Sequence, residues 1–235
     1  AAINAAHRLA GVPSPTGHEG VGLVVRGIRR TKGVAPAQVR PVILEDLRQM
    51  VATLPESLAG TRDRALLLVG WAGAFRRSEL VALNVEDLEP SDEGLVVTVR
   101  RSKTDQEAAG RQVGLPYSAT PLCPVAAIGR WLDVTGITSG PVFRKVDRNG
   151  HIGAVRLNPA SVAEVVKRAA AAAGLDPRQF SGHSLRAGLA TSAAANGATE
   201  SLIMAQTGHK STAMVRRYIR RANLFRQNAA SIAGL

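Results

Sequence analysis

Residues 183 to 218 hold the side chains most suited to chemistry: His183-Ser-Leu-Arg186, then Gly208-His209, then Tyr218, one of only two tyrosines in the chain. His183 and Arg186, one helical turn apart, fall at the start of a helix expected over Leu185 to Asn196. Cations there oppose the positive end of the helix dipole, a cost that a bound anion such as phosphate removes. The plainer reading is two polar residues flanking a core helix. Arg76 directly follows the apolar run Leu66 to Phe75, so it is expected to be partly buried, with Glu79 on the same helical face as its partner. Lys103 opens the polar loop Ser102 to Gly110. Two arginines, a lysine, two histidines and a tyrosine, with no carboxylate cluster to hold a metal, suit phosphoryl transfer that needs neither metal nor nucleotide cofactor. Guanidinium forks neutralise charge on the equatorial oxygens of an in-line displacement. A tyrosine can attack phosphorus and form a covalent intermediate. Its phenol, with an ordinary pKa of about 10, needs a base, for which histidine is suited, and a lysine on a loop can protonate the departing 5′ oxygen.

Composition points to the partner. Among 235 residues, 30 Lys and Arg against 18 Asp and Glu leave a net charge of +12, a surplus that calls for a polyanion and first of all nucleic acid. Aromatic residues make up only 3%, which disfavours base stacking and favours contact with the backbone of duplex DNA. No apolar run approaches the ~20 residues of a membrane span, and no signal peptide or basic amphipathic anchor is visible. The single cysteine, Cys123, excludes an internal disulfide and a cysteine zinc cluster, so a cytoplasmic location is expected. With 45% apolar residues the chain can build a sizeable core.

Elements positioning these side chains are legible from period and punctuation. Short helices are expected over Ala2 to Leu9 and His18 to Thr31, the second ending in Arg29, Arg30 and Lys32. Residues 33–41 read as a cationic linker containing Arg40. Helices follow over Ile43 to Leu54, Thr61 to Trp71 and Arg77 to Leu83. Gly94 to Arg100 and Arg111 to Pro116 form an antiparallel pair. A helix opens at Pro124, and Pro141-Val-Phe143 with Ile152-Gly-Ala154 suggests a second hairpin around Asn149-Gly150. Asn158-Pro159 starts a helix stopped by Gly174, and another occupies Glu200 to Thr207. Ser211 caps a helix whose final turn carries Tyr218, and Asn223 to Leu235 is an amphipathic tail. The fold class expected is mainly α with small antiparallel β-hairpins, that is α+β.

Taken together, Gly73-Ala-Phe-Arg76-Arg-Ser-Glu79, Ser102-Lys103-Thr-Asp105, His183-Ser-Leu-Arg186, Thr207-Gly-His209 and Tyr218 resemble the tyrosine recombinase (phage integrase) family, and within it the Cre-like site-specific recombinases. Cre itself has tryptophan where His209 stands, so there the chain follows the wider family. The resemblance implies the family's DNA breaking-rejoining catalytic fold over residues 42–222. It implies Arg76, Lys103, His183, Arg186 and His209 as the catalytic set, Glu79 as its acidic support and Tyr218 as the nucleophile of a 3′-phosphotyrosyl link. Lys145, on the second expected hairpin, is a rival for the lysine. The resemblance also implies that residues 1–32 are the end of a truncated helical clamp domain, and that residues 223–235 are a helix exchanged between protomers of a tetramer on DNA. Arg29, Arg30, Lys32, Arg40, Arg77 and Arg101 are the expected DNA contacts. Two other readings use the same residues: a topoisomerase-like or hairpin-resolving strand transferase, and a basic DNA-binding protein without activity. If the charge surplus meets phosphates, affinity for duplex DNA will fall steeply as salt rises, because bound counterions are released. Titrations across a salt series check this; a flat dependence would sink the polyanion argument.

Overall fold

The structure, a computed structural model, describes residues 2–33, 39–100, 110–222, 230 and 233. It divides into two compact units, residues 1–38 and 39–235. In the first, helix α1 (Ala2–Leu9) and helix α2 (Glu19–Lys32) flank a 3₁₀ turn capped by Ser14, and neither helix buries a side chain. Arg29, Arg30 and Lys32 sit in the last turn of α2, where cations complement the helix dipole. The boundary falls inside the stretch read as a linker, but the end of that stretch is already part of the second unit. There the amides of Arg40 and Val42 donate to the carbonyls of Gln179 and Ser184.

The second unit is built around helix α4 (Leu58–Ala72), which Ser57 caps by accepting from the Gly60 amide at 3.1 Å. Residues 65–69 of α4 are all buried, so this is a helix apolar on every side and enclosed by others. Helices α3 (Leu44–Ala52), α5 (Arg77–Ala82), α6 (Pro124–Thr135), α7 (Pro159–Ala172) and α8 (Ser184–Ala195) surround it. Strands β1 (Leu88–Ser91), β2 (Gly94–Val99) and β3 (Arg111–Pro116) form an antiparallel sheet with Val97 opposite Val113. Leu95, Val97, Val99, Val113 and Leu115 alternate onto its core face, and the register sets Arg111 opposite Val99. Helices α9 (Glu200–Thr207) and α10 (Thr212–Ala222) close the unit over a small second core of Ala190, Ala194, Ile203 and Val215.

Three expectations need correction. An edge strand, β1, precedes the expected hairpin; it is short, carries Pro90 and exposes three of its four residues, so it lacks the alternation that marks a strand. The second hairpin pairs β4 (Arg144–Val146) with β5 (Ile152–Arg156), whereas Val142 and Phe143 are fully buried core residues ahead of it. Tyr218 lies in the middle of α10, which runs on to Ala222. The amphipathic tail lies outside the described residues except for Ala230 and Ala233.

A very close approach in the core occurs at Gly188 of α8. A Cβ there would lie 1.8 Å from the Val42 carbonyl oxygen and 2.9 Å from the Trp71 indole nitrogen, which itself donates to that carbonyl at 2.8 Å. Only a hydrogen fits, so α8 rests directly on the backbone entering α3. Gly188→Ala is expected to lower stability by about 2 kcal/mol or more, because the obstruction is main chain rather than a movable side chain. Urea unfolding followed by tryptophan fluorescence checks it; an unchanged midpoint would refute the packing argument.

Candidate active site

The turn between α4 and α5 creates the first half of the site. Ala74 adopts a left-handed conformation, φ 47°, rare for a residue with a side chain, and its carbonyl accepts from Arg186 Nη1 at 2.7 Å. A Cβ at Gly73 would fall 2.1 Å from the Phe75 ring, so glycine lets that ring fold back over the turn. Arg76 is the N-cap residue of α5. Glu79, at the third helical position, accepts from the Arg76 amide at 3.0 Å and from its guanidinium, satisfying an orphan helix donor and an ion pair together. Glu79 is almost wholly buried.

A third arginine joins them. Arg111 Nη2 approaches Glu79 Oε2 at 3.4 Å, Nη1 donates to the Gln206 carbonyl at 3.2 Å, and the guanidinium lies 5.9 Å from the Phe75 ring centroid. The sequence shows Arg111 only as the first residue of a strand and gives no reason to place it in the site. The one signal available is register, since a charged residue opposite inward-facing Val99 occupies a position on the core face.

Helix α8 supplies the second half. His183 is its N-cap residue, and Arg186 lies in its first turn, 1% exposed. The cost foreseen for cations at a helix start is thus met inside the protein. Burial, with Arg76 adding repulsion, pushes the Arg186 guanidinium down to about 10. Among the described residues, Arg186 Nη2 and Arg111 Nε are buried without a hydrogen-bond partner. Buried donors of this kind call for acceptors, and in a cluster with one carboxylate and three guanidinium groups the acceptor that fits is an anion.

Helices α9 and α10 bring the remaining groups. Gly208 ends α9 in a left-handed conformation, φ 64°, and turns the chain so that His209 enters the cluster. The His209 ring centroid lies 6.0 Å from that of Tyr218, and its Nδ1 is 2.7 Å from the Thr207 hydroxyl. Burial first, then Arg186, Arg76, His183 and Arg111, hold the His209 pKa down at about 4. The Tyr218 hydroxyl is 3.2 Å from His183 Nε2. Burial, then Arg186 and Arg76, lower the proton affinity of His183. Burial raises the pKa of Tyr218, opposed by Arg186 and Arg217. At neutral pH the arrangement is a protonated phenol beside neutral imidazoles in a field of fixed positive charge, a pairing able to pass the phenolic proton to His183.

The structure therefore brings Arg76, Glu79, His183, Arg186, His209 and Tyr218 together. Lys103 and Arg101 lie outside the described residues. Lys145 is exposed on β4. Arg77 is exposed at the first position of α5, and Arg40 is engaged elsewhere, bonded to Asp46 at 2.7 Å and stacked over Phe180. No helix among the described residues is long and apolar enough to cross a membrane.

The chain is similar to known proteins both in sequence and in fold. The profile of the phage integrase family matches residues 43–224. The integrase/recombinase xerD homolog of Selenomonas ruminantium is 44% identical over 205 residues, covering 86% of this chain and 60% of the relative. The recombinase cre of Escherichia phage P1 is 27% identical, covering 93% of this chain and 68% of that protein. In fold, the chain is similar to the XerH site-specific recombinase bound to palindromic difH substrate in a post-cleavage complex, with a TM-score of 0.66 at 20% identity over 83% of this chain and 54% of that one. The chain thus spans about 60% of the length of its Selenomonas relative.

The buried imidazoles set a pH dependence of stability. His209 has a folded-state pKa of about 4 against an ordinary 6.5, and His183 is shifted the same way, so the unfolded chain binds more protons across that interval. Stability is therefore fully present above about 6.5 and is lost as pH falls toward the folded-state value. Urea midpoints should decline between about pH 6.5 and 5, above the ordinary carboxylate range, and His209→Gln should flatten that slope. An equal slope in the variant would show that the ring is protonated alike in both states.

Proposed function

The chain belongs to the phage integrase family, and from that premise we propose that it is the catalytic part of a site-specific DNA recombinase that works through a 3′-phosphotyrosyl intermediate at Tyr218. The observation carrying this reading is the Tyr218 hydroxyl 3.2 Å from His183 Nε2, beside a cluster in which Arg76 and Arg111 share the Glu79 carboxylate and Arg186 donates to the Ala74 carbonyl. The scissile phosphodiester sits against Arg76 and Arg186, whose forks take the non-bridging oxygens. As Tyr218 Oη attacks phosphorus its proton passes to His183. The P–O5′ bond breaks as the O–P bond to tyrosine forms, and the 5′ oxygen takes a proton from Lys103, the residue that the family pattern supplies for this task. Bond energy is kept in the phosphotyrosine, so a second 5′ hydroxyl can reverse the step and join a new strand. Arg186, with a free buried Nη2, supplies charge where the transition state gains it.

The substrate is duplex DNA carrying a recombination site, which the net charge of +12 supports. The cations ending α2, Arg29, Arg30 and Lys32, add phosphate-binding charge from the first unit, which we read as the end of a helical clamp. Exchange between two duplexes needs four active sites, so the working state is a tetramer on DNA with residues 223–235 passed between protomers. A cytoplasmic location accords with this substrate.

A nicked suicide duplex carrying the target site tests the central claim. Wild-type protein should become covalently linked to the labelled strand, visible as a shifted band on a denaturing gel. Tyr218→Phe should abolish the link while native-gel affinity for the duplex persists, and Arg186→Gln should slow it by ~10²- to 10³-fold. Loss of binding and linkage together in Tyr218→Phe would make the tyrosine a packing residue.

A further inference from the structure

Thr207 is fully buried at the end of α9, and its hydroxyl makes two short contacts. Oγ1 donates to the Ile203 carbonyl at 2.6 Å and stands 2.7 Å from His209 Nδ1. A hydroxyl has one proton and a carbonyl oxygen can only accept, so the Thr207 proton is committed to Ile203. The contact with His209 must then run the other way, with the Nδ1–H donating into an Oγ1 lone pair. Were Nδ1 bare, two lone pairs would face each other in a buried site at 2.7 Å.

We propose that Thr207 is a positioning residue that fixes the proton of His209 on Nδ1, so that Nε2, on the opposite edge of the ring, is the nitrogen that gains and loses a proton during strand cleavage. The Nδ1–H bond is the same in the neutral and the charged ring, so the ring keeps its orientation through a cycle of protonation. The charged and titratable groups acting on His209 are Arg76 from the cap of α5, Arg111 from β3, and His183 and Arg186 from α8 and its cap, with the Tyr218 ring from α10 beside it. Glu79 is bonded to Arg76 and Arg111, which leaves Thr207 as the acceptor that the described residues offer to Nδ1. The cluster of cations disfavours a charged ring in the free protein, in keeping with the low proton affinity described above. A phosphate entering beside Arg186 offsets the cations' share of that effect, and the proton it stabilises can be placed only on Nε2. The kinetic part of this proposal rests on Tyr218 being the nucleophile; the tautomer itself does not.

Two measurements on the full chain test it. The first is long-range proton–nitrogen NMR of ¹⁵N-histidine-labelled protein at about pH 7, with the His209 ring assigned by its loss in His209→Gln. The expected result is Nδ1 protonated and Nε2 bare in the wild type and in Thr207→Ser, with the ring redistributing toward Nε2–H in Thr207→Val. The second is single-turnover cleavage of the suicide duplex. Thr207→Val should slow it by about 10- to 100-fold, the range seen when a metal-bound histidine loses the partner on its far nitrogen, with DNA affinity held, and Thr207→Ser should recover most of the rate. An Nε2–H ring in the wild type, an unchanged tautomer in Thr207→Val, or a changed tautomer with an unchanged rate would each overturn the proposal. If Thr207→Val does not fold, the wild-type and Thr207→Ser spectra decide. A wild type that shows the Nδ1–H ring but never links to DNA would instead count against Tyr218 as nucleophile.

Discussion

A single buried carboxylate shared by too many cations is the constraint behind the rest of this structure. Glu79 takes the Arg76 amide and guanidinium on one helix and the Arg111 guanidinium from a strand, while Arg186, among the described residues, donates to the Ala74 carbonyl. The cluster is left with uncompensated positive charge in a place where water is scarce, a costly state unless an anion completes it. Burial first and that surplus second lower the proton affinity of the arginines and histidines nearby. Arginines are made less basic, and histidines are made poor holders of a proton. The strained Ala74 backbone belongs to the same account, because turning its carbonyl toward Arg186 is what gives that guanidinium a fixed acceptor.

The fold holds the two halves of the site differently. The arginine cradle hangs from the main core: α4, enclosed on every side, leads into the Ala74 turn, and Gly188 lets α8 press against the Val42 backbone so that Arg186 comes to that turn from the opposite direction. Tyr218 instead sits on α10, which is anchored by the small core of Ala190, Ala194, Ile203 and Val215 and by the Arg216 ion pair with Glu200 at 3.0 Å. A core of four buried residues and a partly exposed ion pair make a smaller attachment than the enclosure of α4. The arginine cluster is thus held more firmly than Tyr218.

What the sequence makes legible is what local pattern encodes. The Arg76 and Glu79 pair lies within one helical turn, and the step from a continuous apolar run to a charge marks both burial and partner. His183 and Arg186 announce themselves by opposing a helix dipole, and the sheet formed by β2 and β3 follows from alternation. Arg111 is different. It meets Glu79 across 32 residues and Gln206 across 95, and the strand register that sets it on the core face names neither partner. Thr207 reads as an ordinary helical residue because its effect depends on the turn at Gly208 that folds His209 back onto it. Val142 and Phe143 invite a strand by composition, yet in the core their backbones pair with Leu83 and Leu157 instead of with Ile152 to Ala154.

Under the proposed reaction the same surplus of charge favours catalysis over binding. A phosphodiester in the ground state brings one negative charge, whereas the displacement gathers more on its equatorial oxygens, so a cluster with more cationic donors than a single anion can satisfy gains most at the transition state. The histidines follow the anion. With the cluster unfilled, burial first and the arginines second keep both imidazoles neutral. Once negative charge builds between the guanidinium groups, the repulsion that lowered their proton affinity is offset and a proton on either ring becomes favourable. Because proton uptake and anion binding are linked, each stabilises the other by the same free energy, and the imidazoles become donors at the stage when oxygen atoms on phosphorus need them. A fixed set of arginines around one carboxylate thereby times the proton transfers that a reversible strand exchange requires in both directions.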